Sequence, residues 1–259
     1  MHSVNAALFA LALVVLFVGA SELGFRTGGA AARKMDDDSK SLVLTVATAM
    51  LGMVALLLGF SFSMAAGRFE SRRAVMVDEG NAIGTCYLRA GLLADAERDD
   101  VRRALRGYID ARIALYGAGS DRAPARDAES AAATAQEHVW RVTTAAARRE
   151  PREMTSTLLI QSLNEMIDLD SKRAATFKNR VPPIIPGLLV VTSFLGMAGI
   201  GYDSAIAGRR RLGLMAILGM SLAAIIFVII DLDRPWSGTI RVGQEAMVEL
   251  RERIDRTSR

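Results

Sequence analysis

Few residues in this chain could carry covalent or metal chemistry. It has one cysteine, Cys86, and two histidines, His2 and His138. A single thiol excludes an internal disulfide, and these three residues cannot assemble a His/Cys metal site, so metal chemistry would have to come from carboxylates. No P-loop, H-E-x-x-H or G-x-S-x-G pattern is present. Because Cys86 and His138 lie far apart in the sequence, no nucleophile has a base nearby, and we expect no enzymatic activity and no cofactor.

A second group of polar and small side chains lies inside an uncharged stretch, residues 41–67. These residues follow steps of three and four, which places them on one face of a helix: Thr45, Thr48, Gly52, Ala55, Gly59, Ser63 and Ala66. Leu56 and Phe60 border that face. Two interpretations are open. Small residues let neighbouring helices approach closely, while a pore wall would use Leu56 and Phe60 as an apolar constriction that gates by dewetting.

The elements that must position these residues are hydrophobic helices. Four stretches carry no charged side chain: residues 3–21, 41–67, 181–202 and 212–230. At 1.5 Å per residue each can cross a hydrocarbon core of roughly 30 Å, which predicts an all-α integral membrane protein with four spans. The first stretch is interpreted as a retained span rather than a cleaved signal, because "MHSVN" has no basic residue. The glycines of "GMAGIG" in the third span indicate close helix packing.

The pattern of hydropathy and charge divides the chain into four parts. A first hairpin (1–67) precedes an insert (68–180), a second hairpin (181–230) and a charged tail (231–259). Four spans put the insert and both termini on one side of the membrane, and Lys and Arg are slightly more numerous there, which predicts a cytoplasmic insert in a multi-pass protein of the bacterial inner membrane. Acidic and basic residues are nearly balanced, with a net charge of +4, so no nucleic-acid partner is expected.

The insert is predicted to be helical throughout, because its apolar residues recur with a period near 3.6. Helices are expected in "VRRALRGYIDARIALY", from about Ala125 to Arg148, and in "MTSTLLIQSLNEMIDLDSKRAATF". In the first of these, Val101, Leu105 and Tyr108 share a face with further apolar residues. "GFSFSMAAGRFESRR" contains no turn residue after the second span, so that span is expected to continue directly into the insert.

Several segments carry a resemblance to a known family. "GFSFSMAAGRFESRR" resembles the second transmembrane helix of the bestrophins. "RAVMVDEGNAIGTCYLRAGLL", "LNEMIDLDSKR", "NRVPPIIP" and "DLDRPWSGTIRV" are similar to the bacterial bestrophin-like domain family, formerly a domain of unknown function and remotely related to bestrophin ion channels. The resemblance covers about residues 51–242. Its signature positions here are Arg68, Glu70, Glu79, Asn81, Asn164, Asp168, Pro182, Pro183 and Pro235.

The resemblance implies a homopentamer with one central pore. In this arrangement the second span of each subunit lines a hydrophobic neck, and the inserts form a helical cytosolic vestibule. By position, Leu56 and Phe60 match neck-lining sites, while Gly52 stands where bestrophins have a third bulky apolar residue. The expected function is passive conduction of a small inorganic ion, an anion in the first instance. The alternative is a non-conducting membrane scaffold whose helical insert binds a protein partner.

The resemblance also raises calcium as a ligand. "DLDRPWSG" is similar to the segment that closes the last bestrophin span, which supplies oxygen ligands in calcium-gated members. Asp231 and Asp233 are the candidate carboxylates here. Calcium takes about six to eight oxygen ligands, and the fuller acidic run is missing. The other interpretation is that these residues end the helix before Pro235.

Overall fold

The computed structural model of the chain describes residues 2–31, 35–119, 121–149 and 154–257. Within these ranges the regular structure is helical, with no strand, which confirms the predicted all-α class. A short 3-10 turn, Ala90–Leu92, follows the second helix. The α-helices are α1 (His2–Ala31), α2 (Asp37–Arg89), α3 (Asp95–Ala118), α4 (Arg122–Arg149), α5 (Met154–Lys178), α6 (Ile184–Ile206), α7 (Leu212–Leu232) and α8 (Glu245–Thr257).

The chain forms two compact units. The membrane unit comprises Met1–Arg68, Arg180–Arg234 and Gly238–Ile240. The insert unit comprises Phe69–Asn179, Pro235–Ser237 and Arg241–Arg259. Helix α2 runs for 53 residues without a break and contributes to both, as the missing turn residues predicted.

Four helices of the described chain are long and apolar enough to cross a membrane. They are Ala6–Ala30, Asp37–Leu92, Ile184–Ile206 and Leu212–Leu232. In the second of these the uncharged part is 41–67, and the residues beyond it carry charges, so we take 41–67 as the crossing segment. The four predicted spans are therefore confirmed as helices, by their length and composition.

The membrane unit is packed through glycines. A Cβ atom built on Gly24 of α1 would lie 1.9 Å from the carbonyl oxygen of Ala198 in α6, and one on Gly201 would lie 1.9 Å from that of Ser21. No side chain fits at such distances, so the α1 and α6 backbones touch at these glycines. This confirms that "GMAGIG" is a packing feature, as expected where small residues drive helix association in lipid.

The insert unit has a conventional apolar core. Helix α3 buries the face that the sequence predicted, including Leu105 and Tyr108, and α4 and α5 contribute Val139, Leu159 and Leu163 to the same core. Each of these side chains is almost completely buried. Burial of this kind is the main stabilising contribution in a helical domain.

The charged tail contains a helix that the sequence analysis did not predict. Helix α8 buries Met247, Leu250 and Ile254 in the same core. These three residues share one helical face and charged residues occupy the other, so the segment is amphipathic although it is hydrophilic on average.

Candidate functional site

In the membrane unit α2 has two opposite faces. One is buried within the chain and follows a helical period: Ala47, Val54, Leu58, Ser61 and Ala65. The other carries the predicted stripe, and its residues are exposed: Thr45, Thr48, Gly52, Ala55, Gly59 and Ser63. A Cβ atom on Gly52 or Gly59 would meet no atom within 4 Å in the described part of the chain. These two glycines therefore make no close helix contact within the described part of the chain.

The two candidate neck residues lie on the exposed side of α2. The side chain of Leu56 is 59% exposed and that of Phe60 is 66% exposed. Exposure of large apolar residues is ordinary for a surface in contact with lipid, and Leu214 and Ile217 of α7 are exposed to a similar extent. The α2 face differs in the number of small and hydroxyl residues around Leu56 and Phe60, whereas α7 exposes one hydroxyl, that of Ser221, beside Ile217.

The signature positions are distributed over α2, α5 and two turns. Glu79 is fully buried, whereas most of the others are exposed: Glu70, Asn81, Asn164, Asp168, Pro182 and Pro183. Arg68 is half-buried and its Nη2 donates to the sulfur of Met64 at 3.8 Å. Pro182 and Pro183 form the turn before α6, where the carbonyl of Pro182 accepts from the amide of Ile185 at 3.0 Å. Pro235 is buried in the turn after α7.

The two candidate calcium ligands accept hydrogen bonds at the end of α7. The carboxylate of Asp231 accepts from the amide of Thr239 at 2.9 Å, from its hydroxyl at 2.7 Å and from the amide of Ile240 at 2.8 Å. Both oxygens of Asp233 accept from the amide of Val181 at 3.0 Å. Two carboxylates engaged in this way do not fit a site that takes six to eight oxygens. Among the described residues, no group of three His, Cys, Asp or Glu side chains is placed to bind a metal.

The insert unit contains an ion cluster that the sequence analysis did not foresee. Glu79 of α2 lies between Arg112 of α3, whose Nε is 3.1 Å from Oε1, and Arg173 of α5, whose Nε is 3.3 Å from Oε2. The hydroxyl of Tyr108 donates to Glu79 at 3.1 Å. Asp170 contacts both arginines, at 3.3 Å and 2.8 Å. Tyr108 and Arg112 share a helical face, which is a signal in the sequence, but the sequence did not show which residue they would meet.

Burial shifts the pKa values of several groups in the insert unit. Loss of hydration raises the pKa of the Glu79 carboxyl to about 7. The positive charge of Arg112 lowers this pKa, and the negative charge of Asp170 raises it. Burial also raises the pKa of the Tyr108 and Tyr116 hydroxyls well above their ordinary range. The thiol of Cys86, which is fully buried, has its pKa raised to about 11 by burial. Cys86 is therefore an unreactive core thiol at neutral pH.

The fold and the exposed α2 face define a helical membrane protein with four candidate spans. Residues 8–247 match the family model of the Bestrophin-like domain. The chain belongs to this family, and the resemblance noted in its sequence is confirmed.

Known structures agree with this assignment. A bacterial Bestrophin homolog from Klebsiella pneumoniae, solved by zinc phasing, superimposes with a TM-score of 0.71 at 16% sequence identity, covering 96% of this chain and 98% of that one. A single-residue variant of the Klebsiella homolog gives a TM-score of 0.68 at 17% identity, covering 96% and 99%. At sequence identities of 16% and 17%, this structural similarity establishes the fold of the chain. A comparison with curated proteins gave no significant match.

Proposed function

We propose that this chain is one subunit of a cyclic homo-oligomer, a homopentamer, that passively conducts a small inorganic ion. A bundle of four helices has no lumen of its own, so a conduction path lies on the symmetry axis, between subunits. Membership of the bestrophin-like family supports a channel, since bestrophins are ion channels. On this proposal α2 of each subunit lines the pore.

The observation that carries the proposal is the composition of the exposed α2 face. Lipid-facing surfaces are mainly apolar, as on α7, where Leu214 and Ile217 are exposed and Ser221 is the exposed hydroxyl residue. The α2 stripe exposes a denser set of small and hydroxyl residues, including Thr45, Thr48, Ser63 and two glycines. A face of this kind suits contact with water or with a neighbouring subunit better than contact with acyl chains.

Within this pore, Leu56 and Phe60 form two apolar rings that constrict the path, and Gly52 leaves it wider at its own level. Hydroxyl groups can coordinate ions of either sign, so the anion preference rests on the family. The localisation proposed is the bacterial cytoplasmic membrane, with the insert and both termini in the cytoplasm.

The test is ion flux into liposomes that contain the purified protein. Leu56→Ala and Phe60→Ala each truncate a side chain that is more than half exposed. Each substitution is therefore expected to increase the ion flux while leaving the stability of the protein nearly unchanged. Ile217→Ala is the matched control, because Ile217 is as exposed as Leu56, at 59%, but lies on α7. Its flux should equal that of the wild type. Reversal potentials in a chloride gradient then give the sign of the ion.

Two results would contradict this proposal. The first is an inert wild-type protein in liposomes under gradients of chloride and of sodium. The second is that Leu56→Ala, Phe60→Ala and Ile217→Ala behave alike, with changes only in stability. Either result would favour the scaffold whose insert binds a protein partner. A clean monomer by mass measurement in detergent would also exclude the shared pore.

A further inference from the structure

The turn between α6 and α7 carries three consecutive arginines, residues 209–211, and all three are exposed. The middle one is anchored to α1. The Nη2 group of Arg210 donates to both oxygens of Glu22 at 3.0 Å, and its guanidinium lies over the ring of Phe25, 5.7 Å from the centroid. Glu22 also pairs with Arg26 at 2.9 Å. The single negative charge of Glu22 is therefore shared by two arginines.

The other two arginines of the turn have no such partner. The side chains of Arg209 and Arg211 make no ion pair and no hydrogen bond with any residue that the structure describes. The backbone that carries them has a defined geometry. Gly208 takes a left-handed φ of 66°, which glycine permits, and the amide of Arg209 donates to the carbonyl of Ser204 at 3.1 Å. The turn thus presents two unpaired positive charges on a backbone that is held in place.

These charges lie at the end of a membrane-crossing segment. Helix α7 begins at Leu212, immediately after Arg211, and Leu212–Leu232 is apolar enough to cross a membrane. Leu212 and Leu214 are 47% and 60% exposed, as expected for side chains that contact acyl chains. Arginines at the end of a membrane helix extend into the headgroup layer. There a guanidinium group can pair with phosphate oxygens through two parallel hydrogen bonds.

The charge around the turn remains positive when the neighbouring acids are counted. Residues 22–26 and 203–211 contain four arginines against two acids, a net charge of +2. Three more acids, residues 36–38, stand at the start of α2. The first of them accepts from a backbone amide at 3.1 Å, and the second pairs with Lys40 at 2.8 Å. The acids near the turn therefore leave its two unpaired arginines uncompensated.

We propose that the α6–α7 turn binds the headgroup phosphate of an anionic phospholipid, with Arg209 and Arg211 holding the phosphate and Leu212 and Leu214 contacting an acyl chain. The lipid supplies the negative charge that the turn lacks. A zwitterionic lipid fits less well, because its amine brings a positive charge toward the same arginines. Free inorganic phosphate would meet the arginines but would leave the two leucines without a partner. The site requires that α7 crosses the membrane and does not depend on whether the chain conducts.

The size of the expected effect follows from the two free charges. A basic residue near an anionic membrane surface contributes about 1 kcal/mol, which is roughly a fivefold change in affinity. Removing one of the two arginines should therefore weaken the binding of an anionic lipid roughly fivefold, and removing both should weaken it roughly 25-fold. The affinity for a zwitterionic lipid should change little.

The experiment measures the binding of single lipids to the full-length protein in detergent micelles. Phosphatidylglycerol, which is anionic, and phosphatidylcholine, which is zwitterionic, are added in separate titrations, and native mass spectrometry gives the Kd of the first lipid bound. The wild type should bind phosphatidylglycerol more tightly. The double variant Arg209→Gln with Arg211→Gln should lose roughly 25-fold in affinity for phosphatidylglycerol and keep its affinity for phosphatidylcholine. Both side chains are exposed, so its Tm without added lipid should match that of the wild type.

The matched control removes the same charge elsewhere. Arg122 and Arg126 of α4 are exposed in the insert unit, and the double variant Arg122→Gln with Arg126→Gln should keep the lipid affinities of the wild type. A third titration, with sodium phosphate, should raise the wild-type Tm less than phosphatidylglycerol does. The proposal is overturned if the wild type binds the two lipids equally, or if both double variants lose affinity for phosphatidylglycerol to the same extent. It is also overturned if sodium phosphate raises Tm as much as the lipid, since the site would then take a free anion.

Discussion

The carboxylate of Asp231 offers a direct way to separate helix termination from calcium binding. It is buried and accepts three hydrogen bonds, from the amide and hydroxyl of Thr239 and from the amide of Ile240. In Asp231→Asn an NH₂ group replaces one of the two carboxylate oxygens. This NH₂ donor would then face a donor of Thr239 or Ile240 instead of accepting from it. Hydrogen bonds to a charged group contribute about 1.5–3 kcal/mol, and an unsatisfied buried donor costs about 1–3 kcal/mol. We therefore expect Asp231→Asn to lose at least about 2 kcal/mol of stability.

The assay is the fraction of protein that survives heating, measured by size-exclusion chromatography in detergent. A loss of about 2 kcal/mol corresponds to a decrease of roughly 4–8 °C in Tm for a chain of this size. Thr239→Val removes only the hydroxyl donor, so its Tm should fall by less, in line with about 1 kcal/mol for one hydrogen bond. Asp233→Asn keeps an oxygen for the Val181 amide and should also be milder than Asp231→Asn.

The same samples decide the calcium question. If the two carboxylates end the helix, calcium and a chelator leave the Tm of all variants unchanged. Helix termination as the role of these carboxylates is refuted if calcium raises the wild-type Tm and both Asp231→Asn and Asp233→Asn abolish that rise equally. It is also refuted if Asp231→Asn is as stable as the wild type, since the three hydrogen bonds would then contribute nothing.

Three further predictions test packing, pH dependence and burial. Gly24→Ala should sharply reduce the yield of folded protein, because its Cβ would lie 1.9 Å from the Ala198 carbonyl oxygen, while Gly19→Ala, which meets no atom within 4 Å, should express normally. Burial raises the pKa of Glu79 to about 7 against an unfolded value of 4.5, so the folded state binds its proton more tightly; the stability of the insert should fall as the pH rises from below 4.5 to above 7, and a rise would contradict this. Cys86 should react with maleimide only after denaturation, and rapid labelling of the native protein would show that its burial is wrong.

Much of the fold could be predicted because long helices repeat their apolar residues with a clear period. The spans and the three helices of the insert follow this pattern, and the continuity of α2 follows from the missing turn residues. Helix α8 was not predicted although it is amphipathic, because its many charged residues make the segment hydrophilic on average and typical of a solvated tail. Gly201, in "GMAGIG", was predicted to serve packing and Gly24 was not; their partners depend on the rotation of α1 and α6, which the sequence does not specify.

The candidate sites differ in how far the sequence could define them. The stripe on α2 follows from spacing within one helix, so its members were predictable, although its exposure depends on which face the neighbouring helices cover. The ion cluster brings together residues from α2, α3 and α5, with Glu79 separated from Arg173 by most of the insert. Each of its members is a common charged residue at a position that would be solvated on an isolated helix. Only the packing of the three helices turns Glu79 from a signature position into a buried carboxylate between two arginines.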